Sequence, residues 1–182
     1  MTRWLKHKPH GFFAWLLFLP LLLHADEADD LRARAQKGDA EAQFQMAEHL
    51  TEWLSDSQDA REAAEWYRKA AAQGHLEAMA GLGACYLDDD ASGVEKKDYV
   101  LAKKYLTMSA EAGVAKGQYF LGGMYEKGEG VPQDYVLAYK WFNLAAAQGY
   151  PTNSDYKSAT KCRDELAAKM SKEQIAEGQK LS

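Results

Sequence analysis

Glycine closes Ala-rich runs of this chain at a nearly constant interval. "AQKG" ends at Gly38, "AAQG" at Gly74, "AEAG" at Gly113 and a second "AAQG" at Gly149, spaced 36, 39 and 36 residues apart. Other residues keep step with them. Asp59, Asp98 and Asp134 each lie 15 residues before a glycine, and Ala63, Ala102 and Ala138 share one register. So do Trp66, Tyr105 and Trp141, followed by Tyr67, Leu106 and Phe142. Eight residues past Gly38, Gly74 and Gly113 come Met46, Leu82 and Leu121, each followed by a small residue, Ala47, Gly83 or Gly122. A period of this length with matched residue sizes marks tandem units that bury their apolar faces by stacking.

Each unit reads as two helices. The first begins after the glycine and carries apolar residues at helical spacing, as in Gln118, Leu121, Gly122 and Tyr125. The second is expected to start at the aspartate, whose carboxylate can accept the free amides of a first turn. Glycine ends it by taking the left-handed conformation. Ala63, Tyr67, Ala70 and Ala71 form its packing stripe. Small residues let helices approach closely while the aromatic ones fill the space between pairs. The turn between helices is "KGEGVPQ" in the third unit, where Pro132 is expected to stop the first helix. Three extra residues in "DDDASGVEKK" account for the longer second unit.

The predicted fold is therefore all-α, a solenoid of three helix pairs. Repeat 1 spans 39–74 and is degenerate, repeat 2 spans 75–113 and repeat 3 spans 114–149. A lone helix in 26–38 caps the first unit, and helices in 150–182 cap the last. Among these, "NSDYKSATKCRDELAAKM" reads as one helix, and Ser171 with Gln174 has capping-box spacing before another.

The first 25 residues stand apart. Arg3, Lys6 and Lys8 precede a 12-residue apolar run, Phe12 to Leu23, which "LHA" (Leu23 to Ala25) ends. A basic start, a short apolar middle and a small residue before a polar segment predict a signal peptide cleaved after Ala25. The run is short of the ~20 residues that span a bilayer; an uncleaved anchor is the alternative. Cleavage removes three basic residues and no acids, which takes the net charge from -5 to -8. An acidic chain of this kind lacks the basic footprint of a nucleic-acid binder.

"GQYFLGGMYEKGEGVPQDYVLAYKWFNLAAAQG" resembles a Sel-one-like repeat, a relative of the tetratricopeptide repeats. The second unit is similar apart from its longer turn, while the first, with "TEWLSDSQD", lacks the Gly-x-Gly-Val turn. The resemblance implies a right-handed α-solenoid. It also implies an interaction adaptor or regulator, often in a bacterial export compartment, here the periplasm or the secreted fraction.

Chemistry has little to stand on. His49 and His75 are too far apart in the repeat to form a metal or nucleophile–base pair. His49 shares a register with Cys85 and Met124, which predicts a packing position between units. Cys85 and Cys162 lie about two units apart, so an intramolecular disulfide is not expected. Asp88, Asp90, Ser92 and Gly93 match half of a calcium loop, but its twelfth position is Tyr99 rather than glutamate. "GEGVPQ" lacks the lysine and preceding strand of a phosphate loop. No catalytic residue, metal site or cofactor is predicted. A protein or peptide partner of unknown identity is, bound in a groove lined by the first helices. The candidates are Phe44, Glu48 and Glu52 in the first unit, Ala80 and Ala84 in the second, and Tyr119, Gly123 and Lys127 in the third. Phe44 and Tyr119 would anchor it, unless they merely complete the core. The alternatives are a cell-wall or β-lactam hydrolase and a structural subunit of an envelope complex.

Overall fold

The computed structural model describes residues 29–53, 57–87, 96–150 and 158–182. The leader 1–25 and the calcium-like "DDDASG" lie outside them, as does the side chain of Glu52. Every regular element among the described residues is a helix. Helix α1 covers 29–36. It is followed by α2 (Ala40–Trp53), α3 (Ser57–Ala72), α4 (Leu76–Cys85) and α5 (Tyr99–Glu111). Then come α6 (Ala115–Lys127), α7 (Tyr135–Ala147), α8 (Ala159–Ala167) and α9 (Lys172–Leu181). Pairs α2–α3, α4–α5 and α6–α7 are the three units, each pair stacks on the next, and α7 packs against both α8 and α9. This is the all-α solenoid that the period predicts.

The period works through its glycines. Gly38, Gly74, Gly113 and Gly149 have φ of 97°, 89°, 91° and 73°. At Gly74 the glycine amide donates to Ala71 O at 3.0 Å and the following amide, of His75, donates to Ala70 O at 3.2 Å. The same two bonds recur at Gly38, Gly113 and Gly149. This is the Schellman motif, in which a left-handed residue satisfies the last carbonyls of a helix.

The aspartates do the complementary job. Asp98 Oδ1 accepts from Val100 N at 2.9 Å and Leu101 N at 3.0 Å. Asp134 repeats this on Val136 and Leu137 at the same distances. Each aspartate also donates its own amide to a tyrosine carbonyl of the preceding helix, Tyr86 or Tyr125, at 3.0 Å. Asp59 departs from the expectation. Helix α3 begins at Ser57, so Asp59 lies inside its first turn, where its charge still opposes the helix dipole.

Two further ends differ from the sequence reading. Helix α6 stops at Lys127, and left-handed Gly128 (φ 75°) closes it well before Pro132. Helix α8 starts only at Ala159, because the Ser158 hydroxyl caps it by accepting from Lys161 N. The Ser171–Gln174 capping box at α9 is present as expected.

The core follows the repeat registers. Tyr67, Leu106 and Phe142 are almost completely buried. A Cβ added to Gly83 would lie 2.7 Å from Leu106, and one on Gly122 would lie 3.0 Å from Phe142. The small residue of each first helix therefore makes room for the large residue of its partner. His49 departs from the packing expectation. It is exposed, although Met124 in the same register is fully buried and Cys85 half-buried.

Candidate functional site

The site residues sit on the first helices of the units. Glu48 of α2 receives the Tyr67 hydroxyl hydrogen bond and lies 2.7 Å from Lys116 Nζ of α6. Helices α2 and α6 flank α4. Glu48 and Lys116 meet over α4 on the face that the first helices share, here called the inner face.

Glu48 thus belongs to an internal contact as well as to the predicted groove. Burial would raise its carboxyl pKa. The Lys116 charge, the Lys116 hydrogen bond and the Tyr67 hydroxyl outweigh that and hold it below the usual carboxylate range. Burial and the adjacent Glu48 charge push the Tyr67 phenol up, so it stays protonated. Phe44 is half-buried, stacked on the His75 ring at 4.7 Å and tilted against Tyr67 at 6.3 Å. His75 Nδ1 accepts from Ala78 N at 3.3 Å, and Nε2 lies 2.9 Å from Glu41. His75 is a helix cap tied to its neighbouring unit.

The second unit offers less than predicted. Ala80 is fully buried and presents no surface, because α4 is walled on several sides. Ala84 is half-buried. The third unit holds the opening. A cavity of about 600 Å³ lies between α6 and α8, with Tyr119, Phe120 and Gly123 from α6 and Cys162, Glu165 and Lys169 from α8. Lys127 also borders it and lies 3.9 Å from Glu129, while Lys169 lies 3.4 Å from Glu126. Tyr119 is half-buried among Phe120, Phe142 and Tyr150, with centroid distances of 5.3, 5.8 and 5.4 Å. It both completes a core cluster and lines the cavity. A Cβ on Gly123 would meet nothing within 4 Å, so its side-chain direction points into open space.

Of the predicted groove, then, Tyr119, Gly123 and Lys127 come together at one cavity, and Phe44 and Glu48 lie in a separate network. The α8 contribution was missed, since the residues linking it to the repeats obscure its register. Cys85 and Cys162 are thiols; Cys162 Sγ lies 3.8 Å from the Tyr119 hydroxyl. Among the described residues, no three His, Cys, Asp or Glu side chains converge as a metal site. None of the described helices is long and apolar enough to cross a membrane.

A three-unit α-solenoid with a cavity against the first helix of its last unit has the architecture of a repeat protein. A Sel1 repeat model matches residues 40–75, 76–114 and 115–150, more than half of the chain. The chain belongs to the Sel1 repeat family.

Relatives agree. The chain is similar to chitin synthase regulatory factor 3 of Schizosaccharomyces pombe, 40% identical over 86 residues, which is 47% of this chain and 9% of that protein. It is 35% identical over 106 residues to the chitin synthase regulator SKT5 of Saccharomyces cerevisiae, 58% of this chain and 14% of that one. It thus spans a small fraction of either relative. Among solved structures it resembles a Sel1 repeat protein from Oxalobacter formigenes, with TM-score 0.62 and 29% identity over 85% of this chain and 60% of that one. It also resembles a protective antigen of uropathogenic Escherichia coli displaying an SLR fold, with TM-score 0.57 and 26% identity over 85% and 39%.

Proposed function

We propose that this chain is an exported, non-catalytic adaptor or regulator that binds a protein partner on the inner face of its solenoid. The observation that carries the reading is the α6–α8 cavity. Its floor is aromatic, its rim is charged, and its middle position, Gly123, leaves space that a neighbouring side chain can enter. That combination suits an apolar anchor residue bordered by polar contacts. Two relatives are named as regulators of an enzyme, which favours a regulatory role over turnover by the chain itself.

Export rests on the basic, apolar and small-residue order of the leader. Mass spectrometry of the chain from an envelope fraction should find an amino terminus at Asp26. An intact leader on cytosolic protein would count against export.

The binding reading is tested by affinity capture from that fraction with the wild type and with Gly123→Trp. The substitution fills the cavity, and open space at Gly123 lets the helix keep its place. A stoichiometric partner retained by the wild type and lost by Gly123→Trp supports the reading. Equal recovery by both proteins would remove the cavity from it, and turnover by the purified chain alone would overturn the non-catalytic role.

A further inference from the structure

Departures from a repeat mark what stacking does not require. Lys116 lies three residues past its glycine, where the other units carry Glu41 and Glu77. Glu48 lies ten past its glycine, where the others carry Ala84 and Gly123. The two residues of this ion pair thus depart from the other units at their registers, and they lie 68 residues apart in sequence. Helix α4 lies between its ends and is low there. Gly81 has no side chain, and a Cβ at that position would lie 2.5 Å from the Tyr67 ring. Tyr67 of α3 thus fills the gap, its hydroxyl donates to Glu48, and Lys116 Nζ sits 5.4 Å from its ring centroid. A carboxylate and an aromatic face together make a seat for an ammonium group.

We infer that Glu48, Tyr67 and Lys116 form a strap that ties the first unit to the third across the second and sets how far the inner face opens. The strap spans a unit, so it restrains the sum of two unit-to-unit rotations that stacking contacts set one interface at a time. Its ends remain reachable, with 43% of the Glu48 side chain and 24% of the Lys116 side chain exposed. It can loosen while the buried core of each unit stays closed.

The test measures the distance between nitroxides carried by unnatural amino acids at Gln45 of α2 and Lys127 of α6, two exposed positions. The variants are Lys116→Met, Glu48→Gln, their combination, and Lys116→Arg. Circular dichroism confirms that each is helical. Either single loss should lengthen the mean distance, the combination should add nothing to the larger of the two, and Lys116→Arg should stay near the wild type. Tyr67→Phe is a milder second probe, since Phe142 occupies the same register in the third unit; it should lengthen the distance by less. An unchanged distance in folded Lys116→Met and Tyr67→Phe, or equal lengthening by Lys116→Arg and Lys116→Met, would overturn the strap. No partner is needed, so the result stands apart from the binding reading.

Discussion

Asp98 and Asp134 make the same two hydrogen bonds in two units, which shows how far single residues carry this fold. Asp134→Ala leaves two first-turn amides without that acceptor and should cost about 1 kcal/mol in urea unfolding. The Schellman glycines and these caps were legible in the sequence because their chemistry is local. A second periodic device was not. Gln43 and Gln118 are buried, and each donates to a carbonyl of the preceding helix, Ala35 O at 3.0 Å and Ala110 O at 3.3 Å. Each in turn accepts from a glutamine 30 residues later, Gln73 at 2.8 Å and Gln148 at 2.9 Å. The second unit carries Met79 and Ala112 at these registers, so both partners change together. That joint change was the available signal, but the pairing reaches across helices. Gln148→Ala leaves the buried Gln118 oxygen without its partner and should cost about 1–3 kcal/mol. Adding Gln118→Met to it should recover part of the loss, as thermal unfolding of both variants would show.

Among the helices, sequence placed all three pairs, because apolar spacing and terminal glycines agree there. It misplaced ends where capping choices compete, as at Ser57, Gly128 and Ser158. Glycines within helices separate packing from open surface. Gly81→Ala drives a methyl group into the Tyr67 ring and should destabilise by about 1–3 kcal/mol through overpacking. Gly123→Ala meets nothing and should instead gain up to about 1 kcal/mol from helix propensity. Opposite shifts of the denaturant midpoint would verify the distinction. The groove was half legible for the same reason. Residue spacing identifies a helix face, but only the packed neighbours show that Ala80 is walled in while Gly123 is open.

At the scale of the whole molecule, Glu48 reaches Lys116 across α4, and an opening remains between α6 and α8. The Glu48 carboxyl is held below its ordinary value of 4.5 in the folded chain. Its contribution is therefore complete above that value and is lost as pH falls through the lower folded value. Lys116→Met removes the opposing charge and leaves burial to raise the Glu48 carboxyl. Acidification of this variant relieves a buried charge, so its urea midpoint should fall furthest below the wild type near neutral pH, and the gap should narrow as pH falls through the Glu48 carboxyl. The repeat thus supplies the frame, and residues that leave its pattern give the inner face its individual character. Hydrogen exchange of the chain with and without its captured partner tests that division most directly. Binding at the inner face predicts slowed exchange in α6 and α8; protection confined to α5 and α7, with α6 and α8 unchanged, would contradict it.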